Sequence, residues 1–384
     1  MHIGFITPEY PHYNSTPSGG LGTSIKNLAT SLVDKEINVS VFIYGQQKDH
    51  NFKEDGINFH FIKQGNYSFF GWFRYRKFLE SYINRSIVRD NIDLIEAPDW
   101  TGITAFIKLS CPLLIRMNGS DAYFCYMDGR KQKLKNRFFE KTALKSADAL
   151  ISVSEFTAEK TKELFKLNSE IAVIPNSIEI DLFKPAKIKG EGKTILYFGT
   201  FIRKKGVLEL AVIFNEVVIK HPETELWSIG KDVVDIFERR STLELFQEKL
   251  SPLAKQQFKF LPEVTYSEIK EHVAEAAVIV LPSFAEAMPM TWLEAMAMEK
   301  ALVTSNIGWA KEVMEDEVTG FTVNPKDHNQ FAEKVLFLLN NPEKRKQMGK
   351  AARKKIQNEF ATKVVVERNI NFYKNQLQRF HART

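Results

Sequence analysis

Short apolar runs alternate with helix-patterned segments from the first residues of this chain, and the alternation starts again near its midpoint. Such a pattern builds parallel strands joined by crossover helices, which cover both faces of an open sheet. The first series of strand candidates falls at residues 3–7, 39–44, 94–97, 113–117, 149–154 and 171–175. Between the first two, Leu21, Ile25, Leu28 and Leu32 repeat at helical spacing. Residues 181–192 carry Pro185, two glycines and several lysines, which suits a linker. A second series follows at 194–199, 226–230, 258–262, 278–282, 302–306 and 321–324, with a helix after Gly206. At 384 residues the chain exceeds what one core usually supports. The expectation is therefore an α/β protein of two Rossmann-like, doubly wound domains facing a cleft, at 1–185 and 186–363. A closing helix at 364–384, with apolar Val365, Ile370, Phe372, Tyr373, Leu377 and Phe380, should fold back on the first domain.

Two carboxylates stand out at one strand-to-helix junction of the second series. Glu286 follows the apolar run Val278-Ile279-Val280-Leu281-Pro282, and Glu294 lies within the helix that Pro289 opens. Open α/β sheets bind ligands at the carboxyl ends of their strands, where helix amino termini offer free N–H groups. A pair of solvated surface glutamates is the plain alternative. It is disfavoured because Glu294 sits in the apolar stretch from Leu293 to Met298, and a glutamate is seldom buried without a partner.

Two further turns could meet an anion. Ser18-Gly19-Gly20-Leu21-Gly22-Thr23 opens the first helix with glycines that let backbone N–H groups come close to a ligand. It does not fit the dinucleotide fingerprint, because Ile25 holds the third glycine position, and it lacks the Lys-Ser/Thr pair of a phosphate loop. Hydride transfer and nucleoside triphosphate hydrolysis thereby lose their main support. The second turn, Gly199-Thr200-Phe201-Ile202-Arg203-Lys204-Lys205-Gly206, places three cations before a helix, where they could neutralise a diphosphate. A solvated loop is the alternative reading of three adjacent charges.

The net charge of +6 is unevenly spread. Arg130, Lys131, Lys133, Lys135, Arg137, Lys141 and Lys145 interleave with Leu134, Phe138, Phe139 and Leu144, as in a basic amphipathic helix at an anionic membrane surface. A helix packing its phenylalanines into the core is the competing reading. Phe69-Phe70-Gly71-Trp72-Phe73-Arg74-Tyr75-Arg76-Lys77-Phe78 is a second aromatic and cationic run, read as an interfacial patch or the wall of an acceptor groove. No nucleic-acid motif accompanies the charge. No run of apolar residues is long enough for a membrane span, and no signal peptide is visible, so a cytoplasmic protein is expected. Cys111 and Cys125 lack metal-ligand spacing and read as thiols of a reducing compartment.

Taken together in order and spacing, these stretches resemble the retaining glycosyltransferases of family 4, which have the two-domain GT-B fold, over essentially the whole chain. The matching segments are Ile6-Thr7-Pro8-Glu9-Tyr10-Pro11, the Gly19-Gly20 turn, Ala147-Asp148-Ala149-Leu150-Ile151-Ser152-Val153-Ser154, Ile174-Pro175-Asn176, Lys205-Gly206, the paired-glutamate segment, and Ile307-Gly308 through Glu312 to Thr319-Gly320-Phe321. The resemblance implies that Glu286 contacts the donor sugar near the reacting centre and Glu294 holds the donor ribose hydroxyls. It implies that the backbone from Ala287 through Met288 and Pro289 to Met290 is the segment whose N–H groups meet the donor sugar and phosphate, and that Lys205 meets the diphosphate. Gly19 and Gly20 would let the first domain reach the donor. Base and sugar selection would fall to loops at Gly230-Lys231 and Leu261-Pro262-Glu263.

Two departures matter. Thr200 stands where the family usually has an arginine, so Arg203 is the expected substitute. Asn118 stands where many members have a histidine, and an amide cannot act as a base near neutral pH. Asn118 and Asp121 are then the acceptor-side candidates. The implied activity is transfer of a sugar from a nucleotide diphosphate sugar to a glycan or lipid-linked acceptor hydroxyl, in surface polysaccharide or glycolipid assembly. No metal or other cofactor is expected, and the location would be cytoplasmic and peripheral at the inner face of the membrane. A catalytically silent GT-B protein that binds a sugar nucleotide or partners an active transferase is the alternative.

Overall fold

The computed structural model describes residues 1–15, 18–186, 193–262 and 264–382; Pro17, Glu263, the last two residues of the expected closing helix and 187–192 of the expected linker lie outside them. The chain divides into two compact units, Met1–Ser177 with Ala361–Thr384, and Ile178–Phe360. The divisions thus fall between Ser177 and Ile178 and between Phe360 and Ala361, where 185/186 and 363/364 were expected.

The first unit holds an eight-stranded sheet in the order β3-β4-β2-β1-β5-β6-β7-β8. Its strands are β1 (His2–Thr7), β2 (Asn38–Gln46), β3 (His50–Glu54), β4 (Ile57–Lys63), β5 (Leu94–Pro98), β6 (Leu113–Met117), β7 (Ala149–Ser152) and β8 (Ile171–Val173). The helices are α1 (Gly20–Asp34), α2 (Gly71–Asp90), α3 (Asp121–Met127), α4 (Leu134–Ser146) and α5 (Glu155–Phe165). β1, β5 and β6 are buried along their whole length, as strands covered on both faces must be. The edge pair β3 and β4 is antiparallel and was not expected. Asp55 and Gly56 join it, both at positive φ, the combination that two-residue hairpin loops favour.

The second unit holds a six-stranded parallel sheet in the order β11-β10-β9-β12-β13-β14. These strands are β9 (Thr194–Phe198), β10 (Glu225–Ile229), β11 (Phe258–Leu261), β12 (Val278–Leu281), β13 (Leu302–Ser305) and β14 (Gly320–Val323). Its helices are α6 (Val207–Lys220), α7 (Thr242–Lys249), α8 (Pro252–Gln256), α9 (Tyr266–Glu275), α10 (Met290–Ala297), α11 (Ala310–Val313), α12 (His328–Asn340) and α13 (Pro342–Lys355). In each sheet the first strand lies centrally, with later strands added on both sides. β1 pairs with β2 and β5, and β9 pairs with β10 and β12. The connections leaving such neighbours run to opposite faces, which opens a crevice at their carboxyl ends.

The last helix, α14 (Thr362–His381), belongs to the first unit and packs against α1. Val365, Val366, Ile370 and Tyr373 enter the core formed by β1, β2 and α1. Beneath them lies Arg116, only 6% exposed. Its Nε and Nη2 donate to the Glu96 carboxylate at 2.6 and 3.0 Å, Nη1 to the Ile174 carbonyl at 3.2 Å and Nη2 to Asn369 Oδ1 at 2.5 Å. Tyr373 donates its hydroxyl to Glu96 Oε2 at 2.7 Å. Removing either ion leaves the other buried and unpaired, so Arg116→Ala or Glu96→Ala should cost about 3–5 kcal/mol of stability. Tyr373→Phe removes the bond to Glu96 and the longer one the hydroxyl accepts from Arg116 Nη2 at 3.5 Å, and should cost about 1–3 kcal/mol. Denaturant unfolding of the three variants measures both values, and near-neutral ion variants would contradict the assignment.

Candidate active site

In the second unit the geometry is set by the ends of β9 and β12. After β9 the chain makes a single short helical turn, Arg203–Lys205, and then Gly206 at φ +70°. A Cβ on Gly206 would stand 2.0 Å from the Pro282 carbonyl oxygen, so only glycine lets this turn close onto the end of β12. The Lys204 carbonyl then accepts from the N–H groups of Phe284 and Ala285 at 2.8 and 3.3 Å. Those contacts bring Lys205 Nζ to 2.8 Å from Glu286 Oε1, with the side chains 19% and 12% exposed. Ser283 donates its hydroxyl to the same carboxylate oxygen at 3.1 Å. Tyr197 lies fully buried alongside; burial, with the Glu286 charge adding to it, holds its phenol well above the usual range. Its hydroxyl donates to the Thr200 carbonyl at 2.8 Å, fixing the turn from below.

Ala287, Met288 and Pro289 are buried and lead into α10, which has no side-chain cap at its amino terminus. A helix end of that kind presents backbone N–H groups and the positive end of the helix dipole. Met290 begins the helix, and Glu294 lies in its second turn, 6% exposed. Gly230 ends β10 directly against the Gly199 carbonyl. Arg203 behaves differently from the expectation for a diphosphate contact. Its guanidinium binds Asp235 through two donors, at 2.7 and 3.1 Å, and Glu238 at 2.8 Å. It braces the turn against the segment after β10, with its cationic plane over the Phe237 ring. The structure therefore brings Lys205 together with Glu286 and gives Arg203 to two other carboxylates.

The first unit carries its candidates on the loops after β1, β5 and β6. Gly19 precedes α1, and Glu9 Oε1 accepts from the N–H groups of Gly19 and Gly22 at 3.0 and 2.9 Å. That carboxylate therefore sets the conformation in which Gly20 starts the helix. Asn118 donates its backbone N–H to Asp99 Oδ1 at 3.0 Å and its amide to the Arg116 carbonyl at 3.3 Å. The Asp121 carboxylate accepts from Asn136 at 3.0 Å and Gln132 at 3.3 Å. Glu140 lies fully buried beneath α3 and accepts from the N–H groups of Thr101, Asp121 and Ala122 at 3.2, 2.8 and 3.1 Å. Burial pushes its carboxyl up to about 7.

Asp99 is the residue that sequence reasoning missed. It closes β5 and is 1% exposed, and its Oδ2 is buried without a hydrogen-bond partner among the described residues. Burial, with the nearby Glu140 adding to it, pushes this carboxyl up to about 8. The signal available was an acidic residue straight after a buried strand, in Pro98-Asp99-Trp100. Glu9 was quoted only as part of a motif, and nothing in its spacing announces that it reaches forward to Gly19 and Gly22. Among the described residues there is no cluster of His, Cys, Asp and Glu side chains able to hold a metal ion.

Comparison with known proteins adds to this geometry. The family described as Glycosyl transferases group 1 matches residues 179–355, and Glycosyltransferase Family 4 matches residues 18–182. An uncharacterised glycosyltransferase of Methanocaldococcus jannaschii is 24% identical over 86% of this chain and 88% of its own. The capsular polysaccharide biosynthesis glycosyltransferase CapM of Staphylococcus aureus is 26% identical over 62% of this chain and 64% of its own. Among solved structures, sucrose-phosphate synthase from Thermosynechococcus elongatus superposes with a TM-score of 0.82 at 18% identity, covering 99% of both chains. HepE of Anabaena, solved in complex with UDP, gives 0.74 at 16% identity over 98% of this chain and 100% of its own.

The Asp99 environment has a measurable consequence. Folded, the carboxyl keeps its proton up to about pH 8, whereas its ordinary value is 3.8. Across that interval the folded state binds more protons than the unfolded one, so stability from this group is present at acid pH and lost as pH rises. Asp99→Asn cannot ionise. Its melting temperature relative to the parent should therefore rise between about pH 5 and about pH 8. A difference that stays constant with pH would show that the carboxyl ionises normally.

Proposed function

We infer that this chain, which belongs to the family 4 glycosyltransferases and has the GT-B fold, moves a sugar from a nucleotide diphosphate sugar to an acceptor hydroxyl with retention of anomeric configuration. The observation that carries this reading is the Lys205–Glu286 pair at the switch point of the second sheet. Each side chain neutralises the other. A diphosphate is the stronger partner for an ammonium group, so donor binding would draw Lys205 onto the phosphates and release Glu286 towards the sugar. The amino terminus of α10 adds N–H donors to the departing diphosphate, and Glu294 would hold the ribose hydroxyls. In this reading Lys205 and the helix dipole supply the charge stabilisation, and no metal is required.

Glycan or lipid-linked acceptors are the favoured class. The CapM relative acts in capsular polysaccharide biosynthesis, and a relative from Corynebacterium glutamicum is a mannosyltransferase for a phosphatidylinositol monomannoside. The surface of the first unit agrees with a membrane-proximal acceptor. Phe69, Phe70, Leu134 and Phe138 are exposed. Contacts of Phe106 with Phe73 and with Phe138 join the start of α2, which carries Arg74, to α4, which carries Lys135, and Lys131 and Lys133 lie just before α4. Apolar side chains flanked by cations suit an anionic headgroup layer. Of the aromatic and cationic residues expected there, Tyr75, Arg76 and Phe139 are buried, so α2 and α4 each divide these side chains between core and surface.

Incubation with UDP-, GDP- and ADP-sugars, read as donor hydrolysis and transfer, tests the reading. Glu286→Ala should abolish both while the protein stays folded, and Lys205→Ala should lower the rate about 100- to 1,000-fold. A folded Glu286→Ala variant with parental turnover would overturn the assignment. Flotation with anionic vesicles at low salt should carry the parent upwards, and Phe69→Ser with Phe70→Ser should leave it at the bottom of the gradient.

A further inference from the structure

Beside the loop that follows β1, the first unit has an open cavity of about 490 Å³. That volume is typical of sites for small ligands. Gln46, Gln47 and Lys48 form one wall at the carboxyl end of β2, and Asn14 and Ser15 form a second from the loop after β1. His50 on β3 and Phe61 on β4 close the third, with their rings stacked at an interplanar angle of 21°.

The cavity has a fixed floor and an open rim. Gln46 is buried and donates to the Tyr44 carbonyl at 3.2 Å and the Pro8 carbonyl at 3.5 Å, which ties it to the same connection that carries Glu9. Phe61 stacks on into Phe59 and the core. Asn14, Gln47, Lys48 and His50 are exposed. Amide side chains offer a donor and an acceptor side by side, which matches neighbouring sugar hydroxyls. An aromatic face accepts the positively polarised C–H face of a pyranose. Lys48 carries the one fixed charge among the lining residues. The carboxylate of the adjacent Asp49 accepts from the Lys63 N–H at 2.8 Å.

We propose that this cavity is an acceptor subsite for a hydroxyl-rich sugar unit bearing an acidic group, carboxylate or phosphate, with Lys48 facing that group. The proposal rests on the glycosyltransferase reading and extends it, locating on the first unit a place where an acceptor glycan is gripped. The hairpin of β3 and β4 then has a purpose beyond extending the sheet: it supplies the ring wall.

The test uses the full chain, fluorescently labelled, on an array of immobilised neutral, uronate-bearing and phosphate-bearing oligosaccharides. The parent should bind acidic members above neutral ones, and the uronate and phosphate arms identify which group is preferred. Lys48→Ala, and separately the combination of Asn14→Ala, Gln47→Ala and His50→Ala, should weaken that binding at least about tenfold. All four positions are exposed, and unchanged melting curves would show that the variants fold. Thermal stabilisation by UDP, GDP or ADP, and slow donor hydrolysis, should match the parent in both variants. Absence of acidic-glycan binding by the parent, or binding retained by the variants, overturns the subsite while leaving donor chemistry intact. Absence of nucleotide stabilisation and hydrolysis in the parent would instead remove the transferase reading.

Discussion

The first unit depends on one buried cation. Arg116 points from β6 and is satisfied by groups from three other elements: Glu96 on β5, the Ile174 carbonyl after β8 and Asn369 on α14. A guanidinium in an apolar interior is tolerable only when its donors are met, and its fork geometry leaves little freedom in where the acceptors stand. The sheet order, the seat of the last helix and the closure of the core around β1 are thereby coupled to a single side chain. The same strand ends one residue later at Met117, so the loop that carries Asn118 and Asp121 starts from a fixed point. Stability and site geometry are not separate properties here.

The two sheets solve the same problem with different chemistry. Each has its first strand at the centre, and in each the loops that carry the candidate residues lie where the connections part. In the second unit the loops are held by backbone contact, Gly206 against Pro282 and the Lys204 carbonyl against Phe284, and the side chains that emerge carry opposite charges. In the first unit the loops are held by carboxylates that accept backbone N–H groups: Glu9 for the Gly19 turn, Asp99 for Asn118 and Glu140 for α3. Burial raises the Asp99 and Glu140 carboxyls and outweighs the opposing effect of the N–H groups they accept from, so both keep their protons to unusually high pH.

Much of this was legible in the sequence because it follows from local pattern. Apolar runs of the right length gave the central strands to within a few residues, and the residues around Pro289 marked the start of α10 correctly. The hairpin of β3 and β4 escaped because its strands mix histidine, lysine and asparagine with phenylalanine, although Asp55-Gly56 was a visible turn signal. The position of Glu286 after β12 was readable from the strand before it, but its partnership with Lys205 required knowing that β9 and β12 are neighbours. Arg203 shows the reverse limit. Its charge and loop position were read correctly, yet Asp235 and Glu238, which claim it, lie more than a strand away in sequence. Asp99 and Glu9 were hidden for the same reason: their roles are set by what they accept from, and sequence spacing does not reveal that.

The first unit is discontinuous along the chain, since α14 returns to it after the whole second unit has intervened. Synthesis proceeds from the amino terminus, and domains generally fold as units as they emerge. During translation the eight-stranded sheet can form long before Asn369 and Tyr373 exist, so Glu96 and Arg116 must wait half-sheltered, with the groove for α14 open to water. The second unit, continuous from Ile178 to Phe360, meets no such delay. A nascent chain is thus held in an incomplete state, its open groove apolar and charged at once, until α14 has been made and can cover it.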